Sequence, residues 1–145
     1  MKCIVYRGGY KYQLKQPYHV KTGIQVQDPV VDHRFITLHA DGRMELKAGY
    51  AWDGPSGPTL DTPNFMRGSL VHDAFYQLMR ERHLDYKVYR KPADVLIRRM
   101  CRKDGMSRAR AWWVYRGLRL MGEKAARPRE DSGALHAPKG CPIET

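Results

Sequence analysis

One histidine and three aspartates stand where side chains of these types could carry out hydrolysis. Asp53 lies in a loop rich in glycine and proline, and His72–Asp73 and Asp94 follow on two segments with helical periodicity. A helical histidine can take a proton from water while a carboxylate on a neighbouring helix holds its other ring nitrogen and fixes the tautomer. The spacing therefore predicts a pair of His72 and Asp94, formed if the two helices pack antiparallel.

A metal site is predicted beside this pair. On a helix, His72 and Tyr76 share one face, and Asp73 lies about 100° away on its flank. Asp73 can therefore join Asp53 of the loop around a hard cation. Carboxylates and loop carbonyls, such as those near Gly54, are the ligands that calcium prefers.

The same residues also have structural explanations. A buried histidine bonded to an aspartate is a common anchor between two helices, and Asp53 suits an Asx turn in its Gly-Pro-Ser setting. Other catalytic patterns fit less well. His33 and His39 fall in a predicted hairpin, so they do not supply the extra ligands of the metal phosphohydrolases. Ser56 lacks the strand-turn-helix frame of a nucleophile elbow.

The sequence pattern changes at the glycine- and proline-rich loop that contains Asp53, from strand-like before it to helical after it. Before it, Asp41–Gly42 separates two alternating segments, residues 34–39 and 44–48. An Asp-Gly pair in this setting predicts a β-hairpin, because glycine accepts the positive φ of the turn. The alternation gives the hairpin one apolar side, with Ile36, Leu38, Met44 and Leu46. Further short strands are expected at residues 3–6, 10–14 and 18–27.

Helices are expected after the loop. Thr62–Pro63 opens the first, with threonine as N-cap and proline at the first helical position. Gly105 and Gly122 stand where helices end. The predicted helices span about residues 63–82, 92–104 and 107–122. The sequence thus predicts an α+β fold, in which N-terminal antiparallel β-hairpins are followed by a three-helix half.

The length and the ends of the chain predict its organisation. The 145 residues suit one domain, placed at residues 1–124. Residues 125–145 carry three prolines and few large apolar side chains, so an extended or flexible arm is expected there. Residues 1–7 have no long apolar segment, so secretion by a signal peptide is not expected, and no apolar stretch reaches the roughly 18 residues of a membrane span. The widely spaced Cys3, Cys101 and Cys141 favour a reducing compartment.

The net charge of +11 predicts an anionic partner. Basic residues are concentrated between Arg90 and Arg119, and such a surface attracts nucleic acid, an anionic membrane or an acidic protein. A well-solvated helical surface is the alternative explanation. Trp112–Trp113 lies in the same interval, where one ring is expected at an interface, stacked on bases or placed at a membrane surface.

Three motifs together resemble an uncharacterised family of tailed-bacteriophage and prophage proteins. They are W-D-G-x-S-x-P at Trp52–Pro58, H-D-x-x-Y at His72–Tyr76 and A-D at Ala93–Asp94. The resemblance covers roughly Gly49–Gly122. It implies a protein of the bacterial host cytoplasm during infection, or of the virion, with virion proteins, host proteins or further copies of the chain as partners.

A more distant similarity is to the small prokaryotic phospholipases A2, which have a calcium loop, an H-D-x-x-Y helix and an antiparallel helix with an acid in this order. It implies a phospholipase-A2-like helix pair in which His72 activates water, Asp94 holds its ring and Tyr76 supports the network. Asp73 and Asp53 would bind calcium.

Three functions follow as hypotheses. The first is calcium-dependent hydrolysis of lipid esters at an anionic lipid surface. The second is a non-catalytic virion or host-interaction component that retains the scaffold. The third is nucleic-acid binding through the arginine-rich helices, for which the sequence contains no recognisable motif.

Overall fold

The computed structural model describes residues 4, 6–7, 12–52 and 62–128. Within them, short antiparallel strands are followed by helices, which confirms the predicted α+β fold. The strands are β1 (Tyr6–Arg7), β2 (Tyr12–Leu14), β3 (Tyr18–Lys21), β4 (Ile36–Leu38), β5 (Arg43–Leu46) and β6 (Ala51–Trp52). The helices are α1 (Pro63–Arg80), α2 (Tyr86–Lys103), α3 (Arg108–Met121) and the short α4 (Glu123–Ala126). No helix among these residues is long and apolar enough to cross a bilayer.

The strands form two antiparallel sheets, with the orders β1-β2-β6 and β3-β5-β4. The predicted hairpin is confirmed as β4 and β5, in which Leu38 pairs with Met44 and Ile36 with Leu46. All four of these side chains are buried, as the alternation predicted. At the turn, Gly42 donates a backbone hydrogen bond to the carbonyl of His39 at 3.0 Å. The apolar side of this sheet therefore supplies part of the core.

Helices α1 and α2 run antiparallel. His72 of α1 contacts Asp94 of α2, and nearer the start of α1, Arg67 contacts Asp104 just beyond the end of α2. Earlier residues of α1 thus meet later residues of α2. The antiparallel arrangement needed for a pair between His72 and Asp94 is present.

The predicted start of α2 at Pro92 is wrong, because the helix begins at Tyr86 and carries Pro92 in its interior. Asp85 caps this earlier start, and its side chain accepts a hydrogen bond from the amide of Lys87 at 3.0 Å. Tyr86 and Tyr89 also pack against the core from the first turns. Capping and burial here outweigh the preference of proline for the first helical position.

The part of the predicted arm that the structure describes packs onto the domain. Ala126 is fully buried, and the Arg80 guanidinium donates to the carbonyl of Ala125 at 3.0 Å. The folded unit therefore continues past residue 124. Residues 129–145, which make up most of the predicted arm, lie outside the described residues.

The hairpin turn gives a direct test of the fold. Gly42 has a φ of +92°, and a Cβ there would lie 2.8 Å from the carbonyl oxygen of Ile24. Gly42→Ala should lower the free energy of unfolding by about 1–3 kcal/mol, because the strained backbone and the clash act together. Urea denaturation monitored by circular dichroism measures this change.

Gly117→Ala in α3 is the matched control. A Cβ at Gly117 would meet no atom of the described residues within 4 Å. This variant should gain about 0.5–1 kcal/mol, since alanine is the better helix former. Equal losses in the two variants would contradict the assigned turn.

Candidate functional site

His72 and Asp94 form a buried pair between α1 and α2. His72 Nε2 lies 2.7 Å from Asp94 Oδ1, within hydrogen-bond distance. The Asp94 side chain has no exposed surface, and the His72 side chain is 5% exposed. The expected contact is therefore present, and its chemical role stays a prediction. With Nε2 held by Asp94, Nδ1 is the ring nitrogen left for a proton transfer.

Tyr76 belongs to the same network, as the resemblance to the phospholipases A2 implied. Its hydroxyl donates to Asp94 Oδ1 at 2.6 Å, and its ring centroid lies 4.0 Å from that of His72. Burial and the Asp94 charge raise the pKa of Tyr76, so the hydroxyl keeps its proton and acts as a donor. Asp94 Oδ1 thus contacts side chains from two successive turns of α1.

Two arginines that sequence reasoning missed contact the other carboxylate oxygen. Arg119 of α3 donates to Asp94 Oδ2 at 2.9 Å, and Arg90 of α2 lies 3.7 Å from the same atom. No local signal marks Arg119, because it belongs to an arginine-rich helix and its contact depends on how α3 packs. Arg90 stands four residues before Asp94, a spacing that brings two side chains together on a helix.

Arg90 also forms hydrogen bonds with the C-terminal end of α3. Its guanidinium donates to the carbonyls of Leu118 and Arg119, at 3.0 and 3.4 Å. Gly122 lies so close to these groups that a side chain would not fit. A Cβ there would lie 2.5 Å from the Leu118 carbonyl oxygen and 2.7 Å from Tyr76 Oη. An arginine of α2 therefore contacts the end of α3, and an arginine of α3 contacts Asp94 of α2.

Contacts within the network shift the pKa values of both Asp94 and His72. Burial alone would raise the pKa of Asp94, but the hydrogen bonds that its oxygens accept outweigh burial and lower the pKa. Burial alone would lower the pKa of His72, but the carboxylates of Asp73 and Asp94 outweigh burial and raise it. At 4.0 Å from His72 Nδ1, Asp73 acts as a nearby negative charge and not as a hydrogen-bond partner.

The predicted calcium ligands are described only in part. Asp73 is about one-third exposed and lies 4.0 Å from His72 Nδ1, whereas Asp53 and Gly54 lie outside the described residues. Trp52, the last described residue before them, donates from Nε1 to the Ser69 hydroxyl at 3.2 Å. Ser69 lies three residues before His72 on α1, so the chain enters the loop next to the site. The described residues contain no group of three or more histidine, cysteine or acidic side chains that could hold a metal.

Comparison with protein-family models, curated proteins and solved structures gives no match to this chain. The resemblances to a phage family and to phospholipases A2, which were drawn from sequence motifs, therefore stay predictions.

The contribution of Arg119 can be measured as stability. Arg119→Met removes a cationic contact at 2.9 Å from a fully buried carboxylate, so the free energy of unfolding should fall by on the order of 3 kcal/mol. Arg116→Met is the matched control, because Arg116 is exposed on the same helix and its loss should change stability by no more than about 0.5 kcal/mol. Denaturant titration of both variants is the measurement, and equal losses would remove Arg119 from the network.

The His72 charge should appear in the pH dependence of stability. The folded state raises the pKa of His72, so this contribution is fully present below the unfolded value of about 6.5 and is lost as pH rises through the folded pKa. His72→Gln keeps a donor toward Asp94 but does not titrate. The stability advantage of the parent over this variant should shrink as pH increases from about 5 to about 9.

The other histidines are present in both proteins, so their titration cancels in this comparison. Denaturant titrations at several pH values measure the difference. A constant difference across that range would show that His72 binds no additional proton in the folded state.

Proposed function

We propose that this chain is a phage-encoded hydrolase of lipid esters, with His72 as the general base that activates water. The observation that carries the proposal is the 2.7 Å contact between His72 Nε2 and Asp94 Oδ1 across an antiparallel helix pair. Tyr76 donates to the same oxygen, so the side chains that the phospholipase resemblance selects converge on one carboxylate.

The proposed reaction uses Nδ1 of the His72 ring, because Nε2 contacts Asp94. His72 Nδ1 takes a proton from water, and the resulting hydroxide attacks the ester carbonyl carbon. The bond to the alkoxide then breaks, the imidazolium returns the proton to the leaving oxygen, and a fatty acid and an alcohol result. Asp94 stabilises the imidazolium formed between these steps, while Tyr76 and Arg119 hold Asp94 in place. All of these groups lie on helices, which keeps the ring in a fixed orientation.

Calcium belongs to the proposal through the loop. Asp53, Asp73 and a carbonyl near Gly54 would hold the ion, and a bound calcium polarises an ester carbonyl as a Lewis acid. Asp73 is the member of this set that the structure describes, and its partial exposure 4.0 Å from His72 Nδ1 suits a metal ligand beside the histidine.

A second candidate function is a non-catalytic virion or host-interaction component. The observation that favours it is the binding of Asp94, on α2, by side chains of α1 and α3, since such a network also serves as an anchor between helices. In that case the histidine is retained for stability, and partners bind elsewhere on the basic surface.

Activity of the His72→Gln variant separates the two candidates. If His72 is the general base, hydrolysis of phosphatidylglycerol should fall by about 10²–10⁴-fold, while the donor to Asp94 is kept. His19→Gln is the control, because His19 is an exposed histidine on β3 and should leave the rate unchanged. Fatty-acid release with calcium present is the measurement.

The pH profile provides an independent readout. A general base must be neutral, and the pKa of His72 is raised, so kcat/KM should increase with pH through a value above about 6.5. Absence of hydrolysis in the parent, or full activity in His72→Gln, would favour the structural role.

A further inference from the structure

Helix α3 exposes an apolar side to solvent. Trp112 and Trp113 are 50% and 56% exposed, and Leu120 is 74% exposed. By the helical period of about 100° per residue, these side chains fall within one sector, opposite the buried Ala111 and Val114. We define this tryptophan face as Ala109, Trp112, Trp113, Arg116 and Leu120.

Arginines surround the tryptophan face. Arg98 and Arg108 line an open surface groove together with both tryptophans. The Arg116 guanidinium carbon lies 5.7 Å from the centroid of the Trp112 ring. The segment Arg108–Met121 contains four arginines and no acidic residue. An apolar strip is thus combined with positive charge that no acid on its own helix neutralises.

We propose that the tryptophan face docks the protein onto an anionic phospholipid bilayer. Tryptophan rings favour the boundary between headgroups and acyl chains, and arginines can reach lipid phosphates while their stems cover apolar surface. Leu120 would enter the upper acyl region. The choice of a lipid partner rests on the proposed function, since this face would bring the enzyme to the surface that contains its ester.

The side chains favour a bilayer over nucleic acid. Bases stack on aromatic planes and guanidinium groups, so Trp112, Trp113 and Arg116 suit either partner. Leu120, which is 74% exposed, offers no plane for stacking, and its burial in an acyl layer is favourable. This large aliphatic side chain at one end of the tryptophan face therefore points to lipid.

The experiment is flotation with two kinds of vesicle, one of phosphatidylcholine alone and one that also contains phosphatidylglycerol. The parent should bind the anionic vesicles more tightly, with a blue shift of tryptophan fluorescence. The double variant Trp113→Ser, Leu120→Ser should bind about tenfold more weakly or worse, because both changed side chains lose apolar burial. The double variant Arg108→Gln, Arg116→Gln should lose its preference for anionic over neutral vesicles.

Matched controls lie on the sheet half of the molecule. Val31→Ser and Lys47→Gln change an exposed apolar side chain and an exposed charge there, and both should bind as the parent does. Circular dichroism confirms that each variant is folded. Unchanged vesicle binding in both face variants, or no binding by the parent, would overturn the inference. Tighter binding of a single-stranded oligonucleotide, lost in the same variants, would assign the face to nucleic acid.

Failure of the docking proposal can be distinguished from failure of the proposed function. His72→Gln should bind vesicles like the parent, because His72 is buried between α1 and α2 and lies outside the tryptophan face. Vesicle binding by the parent without hydrolysis would end the proposed function and retain the docking surface. Hydrolysis of a soluble short-chain phospholipid without vesicle binding would retain the function and end the docking proposal.

Discussion

Asp94 carries a charge at a place with no exposed surface. An ionised carboxylate removed from water costs several kcal/mol unless hydrogen bonds and opposite charges replace its hydration. Here the ring of His72 and the hydroxyl of Tyr76 contact one oxygen, and the guanidinium of Arg119 contacts the other. Because these partners come from different helices, the requirement to compensate one charge fixes how α1, α2 and α3 meet.

The same compensation suits the proposed role of His72 as a general base. A ring held at Nε2 by a carboxylate has a defined orientation and an imidazolium form that is stabilised in place. The hydrogen bonds from His72, Tyr76 and Arg119 outweigh burial and lower the pKa of Asp94, and the carboxylates of Asp73 and Asp94 raise the pKa of His72. An anchor between helices and a general base both require an ionised Asp94 that contacts His72. Measurements of stability therefore do not distinguish the two roles. The hydrolysis rate of His72→Gln and the pH profile of the parent distinguish the two roles.

The arginines of the helical half lie in two different environments. Arg90 and Arg119 turn inward, where they meet Asp94 and the carbonyls at the end of α3. Arg108 and Arg116 stay on the solvent side with the tryptophans, where charge is hydrated and remains available to a partner. The net charge in the sequence is therefore partly structural, and only the outward-facing part is available to the proposed bilayer partner.

Local pattern determined much of this protein. Alternation about Asp41–Gly42 predicted the hairpin, and helical spacing placed His72 and Tyr76 on one face, because these features depend on near neighbours in the chain. Tertiary structure decided the rest. Pro92 lies inside a helix because burial of the preceding turn outweighs a local preference. Arg119 reaches Asp94 because α3 packs against the helix pair, and no local pattern distinguishes it from Arg116, which stays in solvent.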